Sequence, residues 1–182
     1  MADLPITTDR LILRAWCKGN VVPLMAAVNT LITMAYLGGP QPRSYFVRLW
    51  LSMARHQEAD GCCFWIIERR SDGAILGYLG VKRGGPVGTP IADKLILGWL
   101  LGEDFRGQGL VEEAAWAAIR WARKHFPGEK IFACTVPGNE PSDKLVMALR
   151  MRRRPELDYG EAGRALGDPL ARHIVYEVDC WA

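Results

Sequence analysis

A chain of 182 residues, 49% apolar and 24% charged, can bury a sizeable core, and a single α/β domain over residues 1–182 is expected. The formal net charge of +3 is too small to argue for nucleic acid as a partner. No apolar run approaches a membrane span, and the segment from Met1 to Ile6 lacks the basic-then-apolar pattern of a signal peptide, so a cytoplasmic protein is expected.

Residues 8–16 alternate. Leu11, Leu13 and Ala15 fall on one face and Arg10, Ile12, Arg14 and Trp16 on the other, which predicts a strand with one solvated face. From Val21 to Tyr36 the apolar residues Leu24, Ala27, Val28, Leu31 and Ala35 recur at three or four, a helical period stopped by Gly38-Gly39-Pro40. A second helix is predicted from Ser44 to Glu58, with Ser44 as N-cap and Phe46, Leu49, Trp50 and Met53 on its apolar face. Cys62 to Glu68 and Ala74 to Val81 flank Arg69-Arg70-Ser71-Asp72-Gly73, a hairpin with Asp-Gly turn chemistry. A Gly/Pro-rich loop over 84–90 leads to a strand from Lys94 to Leu101.

That strand runs into Arg106-Gly107-Gln108-Gly109 and then a helix opening with Glu112 and Glu113, which suit the positive end of its dipole. Ala115, Ile119, Ala122 and Phe126 form the inner stripe, and Pro127-Gly128 ends the helix. A strand from Ile131 to Val136, a helix from Pro141 to Arg150, a basic then loop-like segment from Met151 to Pro169 and a closing strand from His173 to Val178 complete the chain. The five cysteines, at 17, 62, 63, 134 and 180, are odd in number, lack Cys-x-x-Cys spacing and read as free, mostly buried thiols. No metal is assigned.

The focal stretch is Leu97 to Ala115. A turn of this kind leaves backbone N–H groups unpaired at a helix start, and its two glycines let a phosphate approach the main chain. The residues predict a diphosphate cradle.

In this setting the chain resembles the GNAT-superfamily N-acetyltransferases, in particular the branch typified by ribosomal-protein alanine acetyltransferases (RimJ/RimL-like). The opening strand Thr8-Asp9-Arg10-Leu11-Ile12-Leu13-Arg14 carries part of the resemblance. Gly98-Trp99 followed by Arg106-Gly107-Gln108-Gly109-Leu110-Val111 resembles the acetyl-CoA motif R/Q-x-x-G-x-G/A, and Glu113-Ala114, Asn139-x-x-Ser142 and Pro169 to Tyr176 follow in the branch's order. The resemblance implies a GNAT fold: a mixed, mostly antiparallel central sheet flanked by helices, with a splayed strand pair forming the acetyl-CoA slot. It implies an acetyl-CoA-dependent N-acetyltransferase acting on a primary amine, either a peptide N-terminus or a small molecule, by direct attack on the thioester.

The implied cofactor-binding residues are Arg106, Gly107, Gln108, Gly109, Leu110 and Val111 for the pyrophosphate, and the backbone of Trp99, Leu100 and Leu101 for the pantetheine amides. Asn139 and Ser142 would face the pantetheine and thiol end. The Leu101 N–H is the candidate for the thioester carbonyl and Ser142 for the departing thiolate. Tyr36 and Trp65 are candidate substrate-pocket residues.

Each of these also has a plain structural reading. Glycines make tight turns, Asn139 and Ser142 cap helices, and His173 and Tyr176 read as packing or hydrogen-bonding residues. The run Arg150, Arg152, Arg153 and Arg154 reads as a solvated basic segment.

Four positions depart from the family pattern. Val111 stands for Gly or Ala, Ile96 for Glu, Val146 for Tyr and Arg150 for a helix-ending Gly. Ile96, Val146 and the absence of an evident acid–base pair motivate the alternative of a catalytically silent CoA-binding sensor or assembly protein. The loops over 37–43 and 84–93 would set the acceptor, and a homodimer is left open.

Overall fold

In a computed structural model, residues 4–161, 163–165 and 167–178 are described. Cys180 lies outside them; Cys17, Cys62, Cys63 and Cys134 are free thiols.

The chain begins with β1 (Ile6–Thr7) and β2 (Leu11–Arg14). Leu11 and Leu13 are fully buried, as their alternation requires. Trp16, expected on the solvated face, lies past the strand end and is buried, its indole N–H donating to the Phe64 carbonyl.

Helix α1 (Val21–Val28) ends well short of Tyr36, where the period predicted it would run. The reason is Asn29, whose backbone leaves helical geometry and whose side chain pairs twice with Gln41: Asn29 Nδ2 donates to the Gln41 carbonyl at 2.9 Å and the Gln41 N–H donates to Asn29 Oδ1 at 2.7 Å. This clamp turns the following residues into a loop, exposes Leu31 and buries Met34 in its place. Helix α2 (Arg43–Asp60) buries Phe46 and Met53. Its N-cap is Pro42; Ser44, predicted for that role, sits inside the first turn.

The hairpin forms as expected from β3 (Phe64–Arg69) and β4 (Ile75–Arg83), paired antiparallel. Its turn is closed by Arg69 donating twice to Asp72 and by Gly73 at φ +73°, a conformation glycine adopts freely. Strand β5 (Leu95–Leu101) pairs along its whole length with β4. Helix α3 (Leu110–His125), β6 (Ile131–Thr135), α4 (Glu140–Ala148), two short strands β7 (Arg152–Arg153) and β8 (Tyr159–Gly160), and β9 (Arg172–Glu177) follow. The sheet order is β1-β2-β3-β4-β5-β6-β9-β7, with β8 also pairing to β9. All pairs are antiparallel except β5 with β6, the mixed sheet expected of this layout.

Cross-strand register defines two faces. Trp65, Leu79 and Trp99 share one, and Phe64, Gly80 and Gly98 the other. Helix α3 covers the first, where Trp121 meets Trp65 edge to face at 4.8 Å. Helix α1 comes onto the second so closely that a Cβ on Gly102 would lie 2.3 Å from the Ala27 carbonyl oxygen. Gly98 is small for a similar reason, since the Phe64 ring lies across it. A smaller cluster of Ile91, Ile96, Phe132 and Val175 fills the second face beyond β5.

The segment from Met151 onward differs from the solvated basic loop predicted. It holds β7 and β8, and Arg153 and Arg154 are drawn partly inward while Arg152 stays exposed. Arg152 and Arg154 join Lys130 around Glu177, which is 3% exposed, while Arg153 pairs with Asp158. A buried carboxylate needs such partners, so these cations serve the fold. Arg150 ends α4 at φ +51°, in the left-handed place usually given to glycine, with its N–H on the Met147 carbonyl and the Met151 N–H on that of Val146.

Candidate active site

The site begins with a failure of pairing. Strands β5 and β6 are joined only at Leu95–Ile131 and Ile96–Phe132, then part. The gap opens a cavity of about 630 Å³ that reaches from the turn at Arg106–Val111 to Tyr36, Cys134 and His173.

The Gly102 N–H donates to the Leu76 carbonyl at 2.9 Å. In the antiparallel register with β4, this sets the alternation along β5. The backbones of Gly98 and Leu100 face β4, and those of Trp99 and Leu101 face the gap. Trp99 and Leu101 therefore present free main-chain groups to the cavity, as the splayed-strand expectation requires. Leu100 does not: it lines the cavity, but its N–H and C=O are taken by Tyr78.

At the gap's outer end, Gly107 and Gly109 have φ of +73° and +70°, and Gly109 caps α3. Among the described residues, no protein acceptor meets the N–H groups from Gly107 to Glu112. Val111, larger than the motif residue, packs half-buried against the core and keeps its N–H in this array. The turn is braced from a distance. Arg10 Nη1 donates to the Gln108 carbonyl at 2.9 Å, and Arg10 Nε donates to Glu113 at 2.6 Å. Glu113 also accepts from the Thr8 hydroxyl and the Arg10 N–H. Burial alone pushes the Glu113 carboxyl up, but these three donors outweigh it and hold it below the usual range. Arg10 and Glu113 were visible in the sequence as parts of two separate motifs; nothing there joined them.

On the opposite bank, the Asn139 side chain accepts from the Ser142 N–H at 3.3 Å, so Asn139 is the N-cap of α4. Ser142 is 9% exposed and its Oγ accepts from the Trp99 indole N–H at 3.3 Å across the gap. With that lone pair occupied, its hydroxyl hydrogen is free to be donated. Tyr36 closes the far rim, its hydroxyl donating to the Gly138 carbonyl at 2.7 Å. Thr30 and Thr33 tie its loop to Glu103 just beyond β5.

Trp65 is not part of this site. It lies on the α3 face, fully buried, with its N–H on Gln57 at 2.9 Å. One step of strand alternation separates it from Phe64, which does line the cavity. Ile96 and Val146 are buried and apolar, so neither supplies an acid or base. Cys134, expected as a free buried thiol, and His173, expected as a packing or hydrogen-bonding residue, both line the cavity; strand order alone brings β9 to this place.

Among the described residues no helix is long and apolar enough to cross a membrane. A family profile described as an acetyltransferase (GNAT) domain matches residues 10–152. The Bacillus subtilis (strain 168) protein YkkB, described as uncharacterized, is 25% identical over 180 residues, covering 97% of this chain and 96% of that protein. An acetyltransferase structure from Agrobacterium tumefaciens str. C58 superposes with a TM-score of 0.76 at 21% identity, covering 97% and 95% of the two chains. A RimL ribosomal L7/L12 α-N-protein acetyltransferase structure in complex with coenzyme A superposes at 0.70 with 16% identity, covering 96% of each. The chain belongs to the GNAT acetyltransferase family, N-acetyltransferases whose acetyl donor is acetyl-CoA.

Proposed function

We propose that the chain transfers the acetyl group of acetyl-CoA to a primary amine, the α-amino group of a peptide or a small-molecule amine, by direct attack on the thioester. The observation that carries this reading is the parting of β5 from β6 beside a turn of unpaired N–H groups. It offers a diphosphate site and a peptide-like edge in one continuous cavity.

The residues fit acetyl-CoA, which supplies an activated acetyl thioester. The N–H groups from Gly107 to Glu112 hold a doubly charged pyrophosphate at the positive end of α3. The main chain of Trp99 and Leu101 pairs with the pantetheine amides as an added strand would. The Leu101 N–H, facing the gap, polarises the thioester carbonyl. The Ser142 hydroxyl, oriented by the Trp99 indole, donates to the sulfur as it leaves. Tyr36 borders the acceptor, and the peptide α-amine is suggested by neighbours such as the RimL enzyme. Nucleic acid is disfavoured as partner because the arginines after Arg150 are engaged with Glu177 and Asp158.

The test is acetyl-CoA turnover over a panel of N-terminal peptides, polyamines, amino acids and aminoglycosides. Free thiol release with a one-acetyl mass gain on an acceptor is expected. Tight CoA binding with no acetylated product from any amine would favour the silent-sensor alternative.

A further inference from the structure

Attack on the thioester needs a neutral amine, so the ammonium proton must first leave. The two positions where the family pattern places acidic or phenolic side chains are Ile96 and Val146. The cavity itself offers few substitutes. Burial pushes the Tyr78 phenol and the Cys134 thiol up, so both stay protonated. Arg106 and Lys144 are cations. Glu112 belongs to the first turn of α3, at the pyrophosphate end. The Tyr36 hydroxyl is engaged with Gly138.

His173 is different. Register puts it on the Cys134 face: Cys134 opposes Val175, two residues along β9. Its ring stacks on Tyr159 at 4.8 Å and 3°, and the Tyr159 hydroxyl donates to Cys134 at 3.4 Å. That sandwich fixes the ring plane. Nε2 lies 3.6 Å from Glu161, an ion-pair distance rather than a hydrogen bond. Nδ1 is buried, and among the described residues it has no hydrogen-bond partner. An unpartnered buried imidazole nitrogen is costly unless a ligand meets it.

We propose that His173 is the proton acceptor for the acceptor amine, positioned by Tyr159 and Glu161. This rests on the acetyl-transfer reading above. His173 takes a proton from the ammonium; the neutral nitrogen bonds to the acetyl carbon; the C–S bond breaks with its electron pair on sulfur. The nitrogen's second proton leaves to solvent, and Ser142, having given its hydrogen to the thiolate, regains one from solvent, so atoms and charge balance. Other charges near the ring are paired: Glu161 with Arg164, and Asp158 with Arg153 and Arg172. Lys82 reaches this region from β4, where its charge acts on Cys134.

The test is kcat/KM against pH, using an aliphatic amine that titrates well above the range, for wild type, His173→Gln and Glu161→Gln. Wild type should show a limb rising through one ionisation. His173→Gln should remove that limb and lower the neutral-pH rate about a hundredfold, with the CoA Kd unchanged as the check on folding. Glu161→Gln, which removes the carboxylate beside Nε2, should lower kcat/KM and leave the CoA Kd unchanged. Imidazole 15N NMR of the unliganded wild type reads the same group without turnover. His173 should carry its neutral-form hydrogen on Nε2, which leaves the Nδ1 lone pair to take the proton. A limb that survives His173→Gln, or a neutral His173 with hydrogen on Nδ1, overturns the proposal. Absence of acetyl transfer by wild type overturns the underlying reading and leaves the NMR result to judge the histidine.

Discussion

The two banks of the gap are built from different materials. The β5–α3 bank is main chain: unpaired N–H groups of the turn and the free edges of Trp99 and Leu101. The other bank is side chains from distant segments, Tyr36 from the α1–α2 loop, Cys134 from β6, Ser142 from α4 and His173 from β9. A backbone site tolerates most side-chain changes that keep its φ/ψ, so it can bind one invariant donor. A side-chain site changes with each substitution, which is what acceptor choice requires. On this view the donor bank should be sensitive to backbone conformation and the acceptor bank to side-chain chemistry.

The largest expected effect tests whether the scaffold is separable from both banks. Trp65→Ala empties a fully buried site between β3 and α3 and should cost about 3–5 kcal/mol. Denaturant melts should show that loss, while the folded protein keeps its CoA Kd. A weakened Kd would place Trp65 in the site after all.

Gly109→Val attacks the donor bank. At φ +70° a β-branched residue is strained by at least about 1–2 kcal/mol. If the turn relaxes to escape this, CoA binding by calorimetry weakens about tenfold, with acceptor KM little changed.

Trp99→Phe leaves the main chain of β5 in place and removes only the N–H that orients Ser142. It should lower kcat about threefold to tenfold, the worth of one hydrogen bond, and spare the CoA Kd. An equal loss in both would mean the two banks are not distinct at this point.

The acceptor bank has its own acid limit. Asp158 accepts from Arg153, the Val175 N–H and Arg172, and the Arg153 bond above all holds its carboxyl down from 3.8 to about 2. A depressed folded-state value means the stabilisation is present above pH 3.8 and is lost as pH falls toward 2. Melting temperature should drop across that window, and Asp158→Asn should flatten the drop. Hydrogen exchange at Val175 should report the loosening before the turn at Arg106–Val111 does.

The smallest effect is at Arg150. Arg150→Gly relieves a left-handed non-glycine residue at the end of α4 and should stabilise by about 1 kcal/mol. That corresponds to about 2–4 °C in Tm, with kinetics unchanged.

The donor bank could be read from the chain because its signals are local. Glycines at 107 and 109, acids in the first turn of α3 and the Gly98-Trp99 pair act within one strand–turn–helix unit. The hairpin closed by Asp72-Gly73 was legible for the same reason. The errors came where distant residues decide. Asn29 ends α1 because Gln41 is there to receive it. Arg154 turns inward because Glu177 is buried beneath it, and Arg153 because Asp158 is there to pair with it. Leu100 was assigned with its neighbours because strand parity needs a partner's register to fix it.

The sequence by itself determined the hairpin, the strand–turn–helix unit around Gly107 and Gly109, and the family. Periodicity, glycine positions and motif spacing are properties of contiguous residues. Tertiary structure alone decided that Trp65 faces away from the cavity while Phe64 faces it, that Arg10 braces a turn about a hundred residues downstream, and that His173 stacks on Tyr159, whose hydroxyl reaches Cys134. Those contacts depend on register and strand order across the sheet, and no local pattern encodes them.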